Sequence, residues 1–478
     1  LEEQLLQDDA CVFLKGSVGS GISFIIANSF KTVGKTMLYL CEDREKAAYQ
    51  LNDFERILGE DNVLFFPSSY RKPYQTETTD NANVLLRSEV LTKLGSSKKP
   101  KLIVSYPQAV FEKVVSHSTL KKNTLEVIKD SRLSLDFVNE MLFEYRFNRV
   151  DFVTQPGEFS VRGGIIDVFS FSNQHPYRIE FYDDQVESLR SFDVATQLSI
   201  STLNKIKLLP NTSEGFTKAK RKSIIEVIAP KGVLITQNFD FIAARLAHFY
   251  EEAEASFAAL ATETKHLPPD VLFISKENLI QTASMLSLVS LTKSTAVNTQ
   301  QNHFFKQSPQ PAFNRQFDRL IVYLNDNHQK GYQNFICCAS EQQAQRFKDI
   351  FEEGEETVHY KTLVNPLFEG FEDVDAKIAC FTDHQIFERY HKYQLKTTKA
   401  KKEALTLKEL THLEVGDYVT HIDHGIGTFG GLQKIDVEGN QQEAIKLVYA
   451  DRDILYLSIH SLHKISRFNG KDGKVPKV

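Results

Sequence analysis

The sequence predicts a multidomain α/β protein that ends in a small β-barrel, and three observations support this fold class. With 478 residues, of which 41% are hydrophobic, the chain is long enough for several domains of ordinary globular composition. In residues 1–125, short apolar runs, including predicted strands at 36–41, 62–66 and 102–105, alternate with amphipathic helical stretches, which is typical of βαβ units around a parallel sheet. Residues 415–468 place glycines between short β-branched and aromatic runs, as small barrels do.

Changes of periodicity and composition divide the chain into six predicted segments. A run of alternating strands interrupts the first α/β domain and is predicted to be a β-rich insertion. The second part of that domain is predicted to be mostly helical, with candidate strands at 232–236 and 271–275. A second, small α/β domain follows, and a Lys-rich stretch, which we interpret as a solvated linker in preference to a nucleic-acid patch, leads to the barrel. The segments are 1–125 (first part of the α/β domain), 126–210 (insertion), 211–311 (second part), 312–395 (small α/β domain), 396–410 (linker) and 411–478 (barrel).

Charge and cysteine usage exclude several classes of protein. The 57 Lys and Arg residues against 62 Asp and Glu argue against nucleic-acid binding over the whole surface. The five cysteines form no C-x-x-C pair, which excludes a disulfide framework and a cysteine-rich zinc site. Because no apolar run reaches the ~18 residues that span a bilayer, we expect a cytoplasmic protein without membrane contact. The chain begins without Met, and we expect it to be part of a longer protein.

A glycine-rich loop follows the first predicted strand and precedes a helix. Gly16, Gly19, Gly21 and Ser23 suit the phosphate-binding template G-x-x-x-x-G-K-[ST], but Ile22 stands in the Lys position. An aliphatic side chain supplies neither a charge nor a hydrogen bond to a phosphate. The sequence therefore predicts a degenerate nucleotide loop, no bound cofactor and no catalysis by this chain.

Two further groups leave alternatives open. His421-x-x-His424 and His460-x-x-His463 suggest zinc, but this spacing alone is weak because the side chains must converge from separate strands. We favour packing in the barrel and expect no metal. The aromatic and basic loop at residues 66–74 is either a stacking platform for a nucleic-acid strand or a packed connection, and we favour the connection.

The predicted strand Tyr177–Tyr182 has two different faces. A period of two places its apolar residues in the core and directs Arg178, Glu180 and Tyr182 to the other side. From the pattern alone, this side is either solvated or a recognition face, since Arg and Tyr are enriched at binding hot spots.

Four stretches resemble the bacterial transcription-repair coupling factor family. Two of them resemble its UvrB-homology module and two its CarD-like domain, in the order that the family has them. The stretches are PGEFSVRGGIIDVF at 156–169, YRIEFYDDQVESLR at 177–190, VGDYVTHIDHGIG at 415–427 and LYLSIHSLHKISRF at 455–468.

The resemblance implies a fold and a function. The implied fold is a degenerate RecA/helicase-like P-loop domain with an inserted UvrA-binding domain, and a Tudor/SH3-like barrel at the end. The implied function is a non-catalytic adaptor that links stalled RNA polymerase to nucleotide excision repair, with UvrA and the polymerase β subunit as partners and weak or no DNA binding. In this family an ATP-dependent DNA translocase follows the corresponding region.

The resemblance also assigns residues to these partners. Arg162, Arg178 and Tyr182 match positions that bind UvrA. The stretch that pairs with the polymerase β subunit contains Ile445, Leu447 and Tyr449, and the sequence leaves open whether Leu447 lies at the interface or in the barrel core.

Two other functions are alternatives to the adaptor. An ATP-dependent DNA helicase or damage-binding enzyme of the UvrB type requires the Lys that Ile22 replaces. A purely transcriptional CarD-like regulator leaves the first ~400 residues without a role.

Overall fold

The structure is a computed structural model of the chain. It describes residues 1–478 apart from 8–9, 71, 75–79, 97–98, 195, 211–219, 230, 261–265, 298–300, 353–356, 390–412, 422–423, 438–439, 450–452, 459–464 and 468–478. The chain forms two compact units. The first unit comprises Leu1–His117 and Thr217–Leu395, and the second comprises Ser118–Phe216 and Lys396–Val478.

Helices and strands alternate along most of the described chain. The helices are α1 (Glu2–Leu5), α2 (Gly21–Val33), α3 (Arg44–Leu58), α4 (Asn81–Ser96), α5 (Pro107–Phe111), α6 (His117–Lys122), α7 (Leu135–Glu144), α8 (Ile224–Ile228), α9 (Phe239–Ala258), α10 (Pro269–Leu272), α11 (Lys276–Ala283), α12 (Phe317–Gln329), α13 (Glu341–Glu352) and α14 (Asp383–Ile386), with a 3₁₀ turn at Glu60–Asn62. The strands are β1 (Cys11–Lys15), β2 (Met37–Leu40), β3 (Val63–Phe65), β4 (Leu102–Ser105), β5 (Val114–Val115), β6 (Leu125–Ile128), β7 (Asn148–Arg149), β8 (Glu158–Arg162), β9 (Ile165–Val168), β10 (Tyr177–Tyr182), β11 (Gln185–Phe192), β12 (Ser199–Thr202), β13 (Lys205–Leu208), β14 (Arg221–Lys222), β15 (Val233–Thr236), β16 (Ser287–Ser290), β17 (Gln301–Phe304), β18 (Gln307–Pro309), β19 (Gln333–Cys337), β20 (Lys361–Leu363), β21 (Phe371–Asp373), β22 (Ile378–Thr382), β23 (Tyr418–His421), β24 (Gly425–Val437), β25 (Asn440–Val448), β26 (Ile454–Ser458) and β27 (Ile465–Arg467).

A seven-stranded parallel sheet forms the centre of the first unit. Its strand order is β17-β1-β16-β15-β2-β4-β3, so strands from both sides of the predicted insertion share one sheet. Every residue of β2, β4 and β15 is buried, as expected where helices cover both faces of a parallel sheet. The strands predicted around residues 36–41, 62–66 and 102–105 are confirmed.

The sequence prediction is wrong at residues 271–275, which were expected to form a strand. Pro269 begins the short helix α10, and Phe273 makes only a single bridge to Glu112. Proline at the first helical position presets the helical φ angle, which favours this outcome. The strands that complete the sheet are β16 and β17, which lie further along a stretch expected to be mostly helical.

A second, smaller sheet lies in the same unit. Its order is β18-β21-β22-β19-β20, and its core includes Leu320 and Leu324 of α12, Phe347 of α13 and Phe381 of β22. We refer to this sheet and its helices as the small α/β domain. It includes β18, which precedes the predicted boundary at residue 312.

The second unit contains the inserted strands. They form a six-stranded sheet of order β12-β11-β10-β9-β8-β7. Antiparallel pairing of β6 with β13 brings the two ends of this segment together. Helix α7 begins at the cap Ser134, whose side chain accepts a hydrogen bond from the Phe137 amide, and it buries Val138 and Leu142.

The C-terminal residues of the second unit form a five-stranded antiparallel sheet. Its order is β26-β25-β24-β23-β27, with β26 and β27 at the edges. The core of this C-terminal sheet includes Val419, Phe429, Ile445, Leu447 and Ile465. Of the helices in the described chain, none is long and apolar enough to cross a membrane.

Candidate functional site

One face of the six-stranded sheet carries the three residues that the sequence singled out in the insertion. Tyr177 and Ile179 are buried, Phe181 is half-buried and Tyr182 is 72% exposed, so the predicted alternation is confirmed over 177–180 and is weaker at Phe181. Arg162 lies on β8, two strands away from β10. We call this side of the sheet the Arg–Tyr face.

A buried carboxylate organises the Arg–Tyr face. Arg178 donates from Nε to Asp167 Oδ1 over 2.7 Å and from Nη2 to Oδ2 over 2.9 Å. Arg162 makes an ion pair with the same carboxylate, whose side chain is only 1% exposed. Both guanidinium groups are therefore held by Asp167 before any partner arrives, and the bidentate capacity of Arg178 is already used.

Two aromatic rings support these guanidinium groups. The Arg178 guanidinium carbon lies 4.6 Å from the centroid of buried Phe192, and that of Arg162 lies 5.0 Å from the centroid of Phe152. The Arg178 side chain is 15% exposed, whereas that of Arg162 is 42% exposed. Of the three residues singled out, Arg162 and Tyr182 thus provide most of the exposed surface, while Arg178 mainly holds the Asp167 carboxylate in place.

A second ion pair lies on the same face and was not anticipated from the sequence. Arg190 of β11 pairs with Glu180, which also accepts a hydrogen bond from the Ser188 hydroxyl. The antiparallel register places Arg178 opposite both Arg190 and Asp167. This ion pair could have been found in the sequence by pairing the predicted strands across their turns, because that alignment places Glu180 and Arg190 on the same face.

The residues proposed for polymerase contact lie in the C-terminal sheet. Ile445 and Leu447 are both 0% exposed and belong to its core, which answers the question left open for Leu447. Their part of β25, residues 444–448, is paired on one side with β24 and on the other with β26. Tyr449, just after β25, is half-buried and packs against the same core. Polymerase binding through these three residues stays a prediction.

The exposed apolar residues of this sheet lie elsewhere. On the edge strand β26, Ile454 is 48% and Tyr456 is 43% exposed, while Leu457 points inward. The Tyr456 hydroxyl donates to Gln433 Oε1 over 3.1 Å, which fixes the ring on the outer surface. An edge strand with outward apolar side chains offers both backbone hydrogen bonds and contact area to a further strand.

The glycine loop lies between β1 and α2, as predicted. Gly16 and Gly19 have φ angles of 84° and 52°, which favour glycine. Ile22 is buried on the first turn of α2, and the Ser23 hydroxyl donates to Asp53 Oδ2 over 3.0 Å. Burial raises the pKa of Asp53 to about 6. The position where the template has Lys therefore belongs to the apolar core.

The loop at residues 66–74 is a packed connection over its described part. Tyr70 and Tyr74 both contact the ring of Phe273 edge-on, and the Tyr74 hydroxyl donates to the Leu267 carbonyl over 2.9 Å. Tyr70 is half-buried as a residue, but its hydroxyl oxygen is buried, which raises its pKa. These rings contribute to the core. Arg71 lies outside the described residues.

In the part of the chain that the structure describes, no group of three or more metal-ligating side chains comes together. His421 is buried, and its Nδ1 accepts a hydrogen bond from the His424 amide over 3.2 Å. This contact links the last residue of β23 to the residue that precedes β24. His460 and His463 lie outside the described residues.

Two protein-family models match separate parts of the chain. The UvrB interaction domain matches residues 125–213, which contain the Arg–Tyr face. The CarD-like/TRCF RID domain matches residues 413–469, which contain the C-terminal sheet.

The whole chain is also similar to curated proteins of one kind. Transcription-repair-coupling factors are 23% identical in Bacillus subtilis, over 100% of this chain, and 24% identical in Haemophilus influenzae, over 96%. The factor of Rickettsia prowazekii is 24% identical over 95% of the chain. The chain spans only 45–46% of the length of these relatives.

Proposed function

We propose that this chain, which resembles transcription-repair coupling factors along its whole length, is the adaptor portion of such a factor. It recruits UvrA through the Arg–Tyr face and binds the β subunit of RNA polymerase through the C-terminal sheet. The observation that carries the proposal is the Arg–Tyr face, because a preorganised set of arginines beside an exposed tyrosine lies within the segment that matches the UvrB interaction domain.

The geometry defines the chemistry that this face recognises. Arg162 retains donors that Asp167 does not take, so it suits a carboxylate of the partner. The exposed Tyr182 ring supplies an aromatic anchor with little rotamer entropy to lose. Arg178 acts as a positioning residue, since it holds Asp167 and stacks on Phe192.

Polymerase binding is assigned to the edge of the C-terminal sheet. Because residues 444–448 of β25 are paired on both sides, we assign the added strand to the edge of β26, where Ile454 and Tyr456 face outward. Ile445 and Leu447 then act through the core, by keeping β26 in register. The proposed contact is therefore one strand away from Ile445 and Leu447, which the family resemblance assigns to the polymerase.

The same proposal gives the chain no chemistry of its own. We interpret the first unit as a degenerate RecA-like domain without a nucleotide or other cofactor, and the C-terminal sheet as a Tudor/SH3-like barrel. DNA binding by this part is weak or absent, and the adaptor acts in the cytoplasm. No observation favours the helicase alternative, because Ile22 is buried where that function requires an accessible Lys.

Binding measurements with purified UvrA and with the polymerase β subunit test both halves of the proposal. We expect Tyr182→Ala to weaken UvrA binding and Ile454→Arg to weaken polymerase binding, without crossed effects. Phe304→Ala and Val322→Arg are matched controls, because both residues are exposed at sites outside the two surfaces. If the wild-type chain bound neither protein, or if the controls weakened binding equally, the assignment would be wrong.

A further inference from the structure

We propose that the glycine loop is a docking socket for the small α/β domain, and that residues 368–370 occupy the position that a phosphate takes in a functional loop of this kind. This inference concerns the first unit alone and does not depend on the proposed partners. It gives the loop and the small domain a joint role, which is to clamp the two sheets of this unit together.

The hydrogen bonds of the loop carry the inference. The Ser20 amide donates to the Glu369 carbonyl over 3.0 Å, and the Val18 amide donates to Gln307 Oε1 over 3.2 Å. In return, the Glu369 amide donates to Ser20 Oγ over 3.0 Å. Backbone amides of such a loop ordinarily donate to phosphate oxygens, and here oxygens of the same chain accept instead.

The glycines of the loop allow this close approach. A Cβ atom added to Gly16 would lie 2.1 Å from the Phe305 carbonyl oxygen, and one added to Gly19 would lie 2.8 Å from that of Gly370. At Gly21 it would lie 2.2 Å from Gln307 Oε1. The absence of side chains at these positions therefore serves the approach of a protein backbone.

Aromatic and carboxyl groups extend the contact beyond the loop. The rings of Tyr49 and Phe368 stack with centroids 4.0 Å apart. Asp53 accepts the Phe368 amide at Oδ1 over 2.9 Å, and its other oxygen takes the Ser23 hydroxyl. Two carboxyl groups, those of Asp53 and Glu369, thus lie beside the loop and would repel an anionic ligand.

The filled loop and the missing lysine are two different reasons why a nucleotide would not bind, and they predict different results when the lysine is restored. If Ile22 were the sole defect, restoring Lys would restore nucleotide binding. With residues 368–370 in the socket, a phosphate must first break the hydrogen bonds of Ser20, Glu369 and Phe368. Restoring Lys alone is then insufficient.

Amide hydrogen exchange on the full chain tests the socket. Gly19→Ala adds a methyl group toward Gly370, whereas Gly34→Ala, at a similar φ of 64°, adds one into open space. We expect the amides of Phe368 and Glu369 to exchange ~10-fold faster in the first variant than in the second, with α13 unchanged as the internal reference. Equal exchange at these amides in the two variants would overturn the inference.

Two further variants keep the test decisive. Tyr49→Ala removes the ring stack with Phe368 and is expected to raise exchange at Phe368 by several-fold without altering α13. Calorimetric titration of Ile22→Lys with Mg²⁺ and ATP is expected to show no binding. Saturable binding of ATP by that variant, or by the wild-type chain, would show that the socket is not filled and would overturn the inference.

Discussion

The glycine loop and the Arg–Tyr face both contain groups that bind anions in other proteins, but they differ in how many of those groups remain available. In the loop, the Val18 and Ser20 amides already donate to oxygens of the small α/β domain. On the face, Asp167 occupies only part of the donor set, and Arg162 and Tyr182 stay accessible. Recognition potential therefore depends on the partners that the fold has already supplied, and a motif alone does not reveal them.

The largest expected loss of stability comes from a substitution in the core of the C-terminal sheet, and an arginine substitution on its surface serves as the comparison. Leu447→Arg places a charge in a small apolar core and should reduce the free energy of unfolding by about 4–5 kcal/mol, whereas Ile454→Arg on the exposed edge should change it by less than about 0.5 kcal/mol. Urea denaturation followed by circular dichroism measures both values. Equal losses would contradict the burial difference on which the β26 assignment depends.

Removing the carboxylate between the two arginines should give the next largest effect. Asp167→Asn leaves Arg178 largely buried without its counter-charge, and we expect a loss of about 3 kcal/mol in unfolding free energy. Asp375→Asn is the matched control, because its ion pair with Lys306 is exposed and is worth at most about 1 kcal/mol. A loss no greater than that of the control would mean that Asp167 does not organise the Arg–Tyr face.

The buried carboxyl group of Asp53, beside the glycine loop, predicts a dependence of stability on pH. The pKa of Asp53 rises with burial from 3.8 to about 6, so its proton is held more tightly in the folded state. The associated stability is present below pH 3.8 and is lost as the pH rises through about 6, a difference of ~3 kcal/mol. Urea titrations of wild type and Asp53→Asn at pH 4 and pH 7 measure it. We expect the variant to lose less stability than wild type between these two pH values; parallel losses would contradict burial of this carboxyl group.

Substitution of Tyr182 should have the smallest effect on stability but a clear effect on UvrA binding. Tyr182→Ala removes an exposed ring, so the free energy of unfolding should change by less than about 0.5 kcal/mol. UvrA binding should weaken by about 2 kcal/mol, roughly 30-fold, as for a central aromatic anchor. Biolayer interferometry on both proteins compares the dissociation constants. Unchanged affinity would place the contact area elsewhere on the sheet.

Local patterns in the sequence predicted much of the Arg–Tyr face. Period-two alternation placed Arg178 and Tyr182 on one side of β10, and the structure agrees. Asp167 escaped notice because its role depends on the register between β9 and β10, which alternation within one strand does not contain. Glu180 was assigned to the correct face, but its pairing with Arg190 needed the same register.

The socket was beyond the reach of sequence reasoning for a different reason. Ile22 correctly indicated that the loop departs from the nucleotide-binding template. The segment that fills the loop, however, lies at residues 368–370, and no local signal links it to Gly19. In the same way, β16 and β17 were missed because they are short and their place in the sheet is decided by distant partners such as β1.

The order of strands in the seven-stranded sheet has a consequence for synthesis on the ribosome. Strand β1 lies between β16 and β17 in the sheet, and both of these strands are synthesised much later. Phe13 of β1, for example, cannot pair until Ser290 of β16 has been synthesised. At ~5–20 residues per second this delay lasts tens of seconds. The inserted six-stranded sheet has all of its pairings between residues 148 and 202, and it emerges complete during that interval. The insertion can thus fold while the seven-stranded sheet still lacks its last strands. During this time the apolar side chains of β1 remain without their neighbouring strands, and they stay exposed to aggregation until β17 has been synthesised.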